Sequence, residues 1–137
     1  IYVASISLQA NPVHAIKTLC EAEAYPGTSL VLCYSPCKEQ GFPLAEAIKE
    51  EKLAVECGYW PLYRYDPRKT PAMQLDQGKL TKDITELLSR ENRYLALTRA
   101  KPDVAKDLHG KLIAGKLHQH EELERLTKLA ADLKEKQ

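Results

Sequence analysis

This sequence predicts an α/β fold: a partial doubly wound, mainly parallel sheet followed by C-terminal helices. Three observations carry the prediction. Apolar, strand-like runs fill residues 2–8 and 29–34, helical periodicity lies between and after them, and beyond Gly78 the chain turns into Leu, Lys, Glu and Ala. Strand, helix, strand, helix, strand is the order of half a doubly wound sheet, with right-handed crossovers. The boundary separates 1–78, a βαβαβ unit, from 79–137, a helical extension packing on it or on a partner.

The first strand is β-branched and apolar, and Asn11 with Pro12 then supplies a helix cap and a first helical residue. The helix that follows places Ile16, Leu19, Cys20 and Ala24 at helical spacing and ends at Tyr25-Pro26-Gly27. Residues 29–34 (SLVLCY) form a short continuous apolar run, the pattern of a strand buried on both faces. Residues 35–43 read as a loop. A second helix over 44–57 carries Leu44, Ala47, Ile48, Ala54 and Val55, with Gly58 at its C-terminal cap position. In 59–65 (YWPLYRY) Pro61 cannot donate to a ladder, which favours an edge strand or an irregular extended segment. Residues 66–78 read as a surface excursion, and Thr81 opens a helix running to Arg90 or, through Asn92, to Ala100. Pro102 restarts the chain into an amphipathic pattern of Leu108, Leu112, Leu117, Leu123, Leu126, Ala130 and Leu133, weakened by Gly110 and Gly115.

Twenty Lys plus Arg against 19 Asp plus Glu give a formal charge of +1, so no strong electrostatic hold on nucleic acid or a membrane surface is expected. The longest apolar run falls far short of the roughly 20 residues of a membrane span, and no secretory signal is recognisable. The chain opens on Ile1 inside a strand pattern and has Met73 as its one methionine, which reads as a piece of a longer polypeptide. A sheet cut there leaves an edge and a face for an upstream segment or a partner to cover.

Four cysteines without a secretory marker read as reduced thiols. Cys20 and Cys33 fall on apolar periodic positions, as small buried hydrophobes do. Cys37 differs: Ser35-Pro36-Cys37 lies just outside the C-terminal end of a strand, where open α/β sheets place ligands and cofactors. A thiolate there can bind a soft metal or an iron-sulfur cluster, although one cysteine cannot hold a cluster. His14, His109, His118 and His120 form no metal-ligand spacing and read as solvated or capping residues. Glu50, Glu51, Glu121, Glu122 and Glu124 sit among basic residues as solvated helix faces, and no carboxylate pair suggests catalysis. Phosphate-binding glycine loops, the nucleophile elbow and the zinc-protease helix are all missing from the sequence. Tyr59, Trp60, Tyr63, Arg64 and Tyr65 either face a partner or a ring, or finish the edge of the sheet with Arg64 pairing locally.

Several ordered blocks carry a resemblance. IYVASISLQA-NP (1–12), EAEAYPGTSL (21–30), YSPC (34–37) followed by Gly41, KLAV (52–55), GYWPLYRYDP (58–67), QLD (74–76) and ENRY (91–94) are similar to the end of the thiamine-diphosphate domain of pyruvate:ferredoxin (flavodoxin) oxidoreductases. The resemblance extends to about Leu97 and is only generally helical beyond. It implies a dimeric cytoplasmic or organellar enzyme that oxidises pyruvate with coenzyme A to acetyl-CoA and CO₂. Electrons then pass through 4Fe-4S clusters to ferredoxin or flavodoxin. In that family the cysteine of the SPC loop ligates the cluster nearest the thiamine cofactor, which maps onto Cys37. The other cluster ligands and the residues holding magnesium and thiamine diphosphate are implied to lie upstream, so this stretch alone is not expected to be catalytic. Lys38-Glu39-Gln40 and Pro43 depart from the small or glycine-rich loop of the family. Two further readings stand beside this one: a non-catalytic interaction module built on the same fold, and a sulfite-reductase-type relative.

Overall fold

The computed structural model describes residues 1–135, with side chains as far as Leu129, so the expected apolar positions Ala130 and Leu133 lie outside the described side chains. The elements are β1 (Tyr2–Ser7), α1 (Pro12–Glu23), β2 (Ser29–Tyr34), α2 (Ala47–Glu56), β3 (Tyr63–Tyr65), β4 (Met73–Leu75), α3 (Ile84–Leu88), α4 (Asn92–Ala100) and α5 (Pro102–Glu135). Short 3₁₀ turns at Lys38–Gln40 and Leu44–Glu46 lie between β2 and α2.

Local chemistry accounts for most boundaries. Asn11 caps α1 by accepting the His14 amide at 3.1 Å, with Pro12 as its first residue. Asp83, not Thr81, starts α3 by accepting the Thr85 amide at 2.7 Å. The helix expected from Thr81 is two helices, broken before Asn92, where the backbone turns to bond Gly41. Gly110 and Gly115 do not interrupt α5, whose flanking Leu, Ala, Lys and Glu are strong helix formers.

The α/β class holds; the mainly parallel, doubly wound arrangement does not. The sheet order is β2-β1-β3-β4, with β1 and β2 parallel and both remaining ladders antiparallel. The reason lies in the path through α2. Tyr63 opposes Ser5 and Tyr65 opposes Val3, so the chain re-enters the sheet at the end it left from Tyr34. At that end Ser7 donates to Glu51 of α2 at 2.6 Å, and the Trp60 indole donates to the Ile6 carbonyl at 2.9 Å. Helix α2 therefore closes a return rather than a crossover, and β3 runs against β1. The expected surface excursion contains β4, which makes β3 an inner strand instead of an edge.

The main core gathers Tyr34, Leu53, Ala54, Cys57, Ile84, Leu87 and Leu88, with Tyr59, Trp60, Tyr94, Leu112 and Ile113 packed on it. It lies between α2, α3 and the beginning of α5. Around β1, the buried apolar residues are Tyr2, Ala4, Ile6 and Ala15 of α1.

Helix α1 reverses its expected orientation. Ala15 and Thr18 are the buried residues, while Val13 is 78% exposed and Ile16 63%. Strand β2, expected to be buried on both faces, is an outer strand with Leu30 48% and Leu32 40% exposed. Cys20 and Cys33 are exposed too, contrary to the buried positions expected from periodicity. The physical reason is that β1 presents Tyr2 and its charged surroundings to α1. The helix turns its polar side, His14, Thr18 and Glu21, toward them and its apolar side outward. Full burial of each such large apolar side chain is worth about 1.5–3 kcal/mol, so this is a surface that cover would stabilise.

Candidate functional site

Cys37 sits three residues beyond β2, and two contacts from one side chain define its loop. Gln40 Oε1 accepts the Cys37 amide at 3.0 Å, and the Gln40 amide donates to the Cys37 carbonyl at 3.0 Å. Gln40 Nε2 lies 3.5 Å from the Tyr34 hydroxyl. Burial pushes that phenol up to about 12, with the Glu91 carboxylate adding to the shift. The turn ends at Gly41, with φ of +81°, and the Asn92 amide donates to its carbonyl at 3.1 Å. A side chain at position 41 would put its Cβ 2.4 Å from Asn92 Cβ, so only glycine fits this approach.

Cys37 is exposed and carries no disulfide. Lys38 and Glu39, the departures from the family loop, stand in solvent, with side chains 73% and 80% exposed. As a donor set the site offers one free thiolate-forming side chain, which fits one ligand of a cluster and not a complete set. Among the described residues no three His, Cys, Asp or Glu gather as a metal-binding group.

Behind the loop lies an aromatic and charged layer. Tyr34 packs on Trp60 at 5.3 Å and edge-on to Tyr59 at 6.5 Å between ring centres. The Tyr59 and Tyr94 hydroxyls meet at 3.1 Å, and the Arg93 guanidinium lies 4.7 Å over the Tyr94 ring. Tyr59 and Trp60 thus line the core, whereas Tyr65 remains exposed. Glu91 is fully buried beside Arg93; burial raises its carboxyl above the usual range, against the pull of the guanidinium.

The glutamates expected on solvated faces are not all there. Glu50 and Glu51 are buried: Glu50 accepts from Arg90 at 2.9 Å, and Glu51 accepts from Ser7 and the Gln9 amide. Arg90 also reaches Glu46 at 2.6 Å. These partners come from 40 or more residues away, beyond the reach of charge patterning along one helix.

A second polar cluster lies between α1 and the sheet. Arg64 Nε and Nη2 donate to Asp76 at 2.8 and 2.6 Å, and Nη1 donates to Glu21 at 2.8 Å. His14 Nε2 contacts Asp76 at 2.9 Å, and Tyr2 donates to Glu21 at 3.3 Å. Arg64 therefore pairs across the sheet rather than locally, and His14 is a buried partner instead of a solvated cap. Burial opposes ionisation of Asp76, but Arg64 and His14 outweigh it and hold the carboxyl below its usual range. His120 is likewise buried, 3.5 Å from Glu124. The tightly paired charges make this cluster a fastening of α1 to β3 and β4, although the buried Nδ1 of His14 finds no partner.

No protein-family model matches the chain. Relatives are found among much longer proteins. The chain is 44% identical over 128 residues to "Pyruvate dehydrogenase [NADP(+)]" of Cryptosporidium parvum, covering 83% of this chain and 7% of that protein. It is 42% identical over 113 residues to "Pyruvate-flavodoxin oxidoreductase" of Trichormus variabilis, covering 79% and 9%. A third, "Pyruvate:ferredoxin oxidoreductase" of Moorella thermoacetica, is 38% identical over 131 residues, covering 90% and 11%. The chain therefore spans about a tenth of the length of the curated relatives it matches.

Proposed function

We propose that this chain is a segment of a 2-oxoacid oxidoreductase acting on pyruvate, from the C-terminal part of its thiamine-diphosphate and 4Fe-4S domain, with residues 79–137 as a helical extension. One observation carries the reading. The relatives' names differ in acceptor, whether NADP⁺, flavodoxin or ferredoxin, yet all share pyruvate, and each contains this segment at about 40% identity. The segment thus goes with the pyruvate-oxidising part and not with one acceptor. The proposed reaction is oxidative decarboxylation with coenzyme A to acetyl-CoA and CO₂. Ferredoxin or flavodoxin would be the acceptor in a cytoplasmic or organellar matrix compartment.

Within this chain Cys37 is the residue assigned to the cluster. A 4Fe-4S cluster bound there supplies a one-electron relay. Its remaining ligands, and those of thiamine diphosphate and magnesium, are assigned to the upstream part of the polypeptide. The outward apolar side of α1 and the open flank of β2 support that division. Val13 and Ile16 on the outer side of α1, and Leu30 and Leu32 on the face of β2 opposite α1, are apolar side chains for upstream chain or a partner subunit to cover, in an enzyme expected to be a homodimer.

The test is Cys37→Ser in the complete polypeptide. The substitution should remove one cluster, about four iron atoms per polypeptide, and lower electron transfer while leaving the far-UV circular dichroism unchanged. Full iron content together with full activity would sink the assignment.

A further inference from the structure

We infer that Gln40 is a positioning residue for the Cys37 sulfur, an inference that rests on Cys37 being a cluster ligand. The carboxamide is divided between two tasks. Its oxygen holds the Cys37 amide at 3.0 Å while the Gln40 backbone amide holds the Cys37 carbonyl at 3.0 Å. Cys37 is thereby fixed in an extended conformation, φ −123° and ψ 144°, on both sides of its Cα. With the backbone pinned, χ1 is the one torsion left to direct Sγ. The carboxamide nitrogen faces Tyr34, which is 7% exposed and belongs to the main core. A line of contacts thus runs from the hydrophobic core through Gln40 to the residue presenting the thiol.

The other loop side chains cannot take this role. Lys38 and Glu39 extend into solvent and meet only each other, at 3.8 Å. Gly41 secures the far end of the turn against α4 but has no side chain to reach Cys37. Removing the Gln40 carboxamide leaves the core packing of Tyr34, Leu53 and Leu87 intact and frees the Cys37 amide, while the Gln40 backbone still holds the Cys37 carbonyl. The loss falls on the orientation of the ligand rather than on the fold. Outer partners of metal ligands act in this way, and their removal weakens metal binding by about 10–100-fold.

The experiment compares Cys37→Ser, Gln40→Leu and Gln40→Glu in the complete polypeptide, reading iron release to a chelator and the electron paramagnetic resonance spectrum of the reduced protein. The spectral component missing from Cys37→Ser identifies the cluster to follow. Gln40→Leu should assemble that cluster with an altered signal and release its iron about 10–100-fold faster. Gln40→Glu keeps an oxygen for the Cys37 amide and should return release to within a few-fold of the parent rate. Wild-type release and spectrum in Gln40→Leu, with iron lost in Cys37→Ser, would overturn the inference and leave the cluster assignment standing. Retention of all iron in Cys37→Ser would overturn the assignment, and the inference with it.

Discussion

Replacing Gly41 by alanine should open the Cys37 loop from its far end. At φ +81° an alanine is in the left-handed region, which costs about 1–3 kcal/mol for a residue with a Cβ. The new methyl would also stand 2.4 Å from Asn92 Cβ and 3.2 Å from the Asn92 amide nitrogen and Cα. It must retreat by roughly 1 Å to reach van der Waals contact, against the first turn of α4. That retreat strains or breaks the Asn92 amide bond to Gly41, worth about 0.5–1.5 kcal/mol. Alanine's smaller unfolded-state entropy offsets some 0.4–1 kcal/mol, leaving a local loss of about 2–3 kcal/mol. Gly58→Ala is the control: its φ of +77° is similar, but the nearest atoms belong to the Leu80 side chain, which can rotate away. The assay is amide hydrogen exchange read by peptide mass in the complete polypeptide, under conditions where reclosing outpaces exchange. Peptides covering 37–42 and 92–95 should exchange about 30–150-fold faster in Gly41→Ala, while β1 is unchanged. An increase no larger than that from Gly58→Ala, or one spread evenly over the chain, would refute the reasoning.

Two further substitutions probe the buried charges. Arg64→Met should cost about 3–5 kcal/mol, because it leaves Asp76 and Glu21 without their principal cation. Adding Asp76→Leu should recover part of the loss, as local hydrogen exchange in α1 and β4 would register; a strictly additive double variant would contradict the proposed coupling. Asp66, whose carboxylate receives the Arg68 side chain, is held down to about 2. A carboxyl depressed in the folded state gives stability that is present above its unfolded value and is lost as pH falls. The turn at 66–69 should therefore loosen between about pH 4 and 2, and Asp66→Asn should flatten that part of its exchange profile.

The strands and helices that were legible in the sequence are those whose information is local. Asn11-Pro12 marks the start of α1, Gly58 the end of α2, and the β-branched run the first strand. Strand direction was not local: whether residues 63–65 run with or against β1 depends on where α2 returns the chain. Strand β4, only Met73, Gln74 and Leu75, is too short to show an alternation. Periodicity marks the apolar stripe of α1 but not its neighbour, and the fold turns that stripe outward. The Cys37 loop was legible through its motif, but its fastening by Gln40 was not. A glutamine among charged residues carries no signature of the amide it will hold. The burial of Glu50 and Glu51 was equally hidden, because Arg90 and Ser7 are brought to them only by the fold.

The two flanks of the sheet are not equivalent. Helix α5 packs against β4, and Thr127 Oγ1 already accepts the Leu75 amide at 3.2 Å, whereas among the described residues β2 has a neighbour on one side only. A sheet with both flanks open can add copies of itself without end, but one with a single receptive flank reaches completion after one addition. Self-association through this flank would stop at a pair and could not propagate as a fibre. The long helix thus acts as a stopper, turning the sheet from a repeating unit into a terminus and reserving its one vacancy for a single strand.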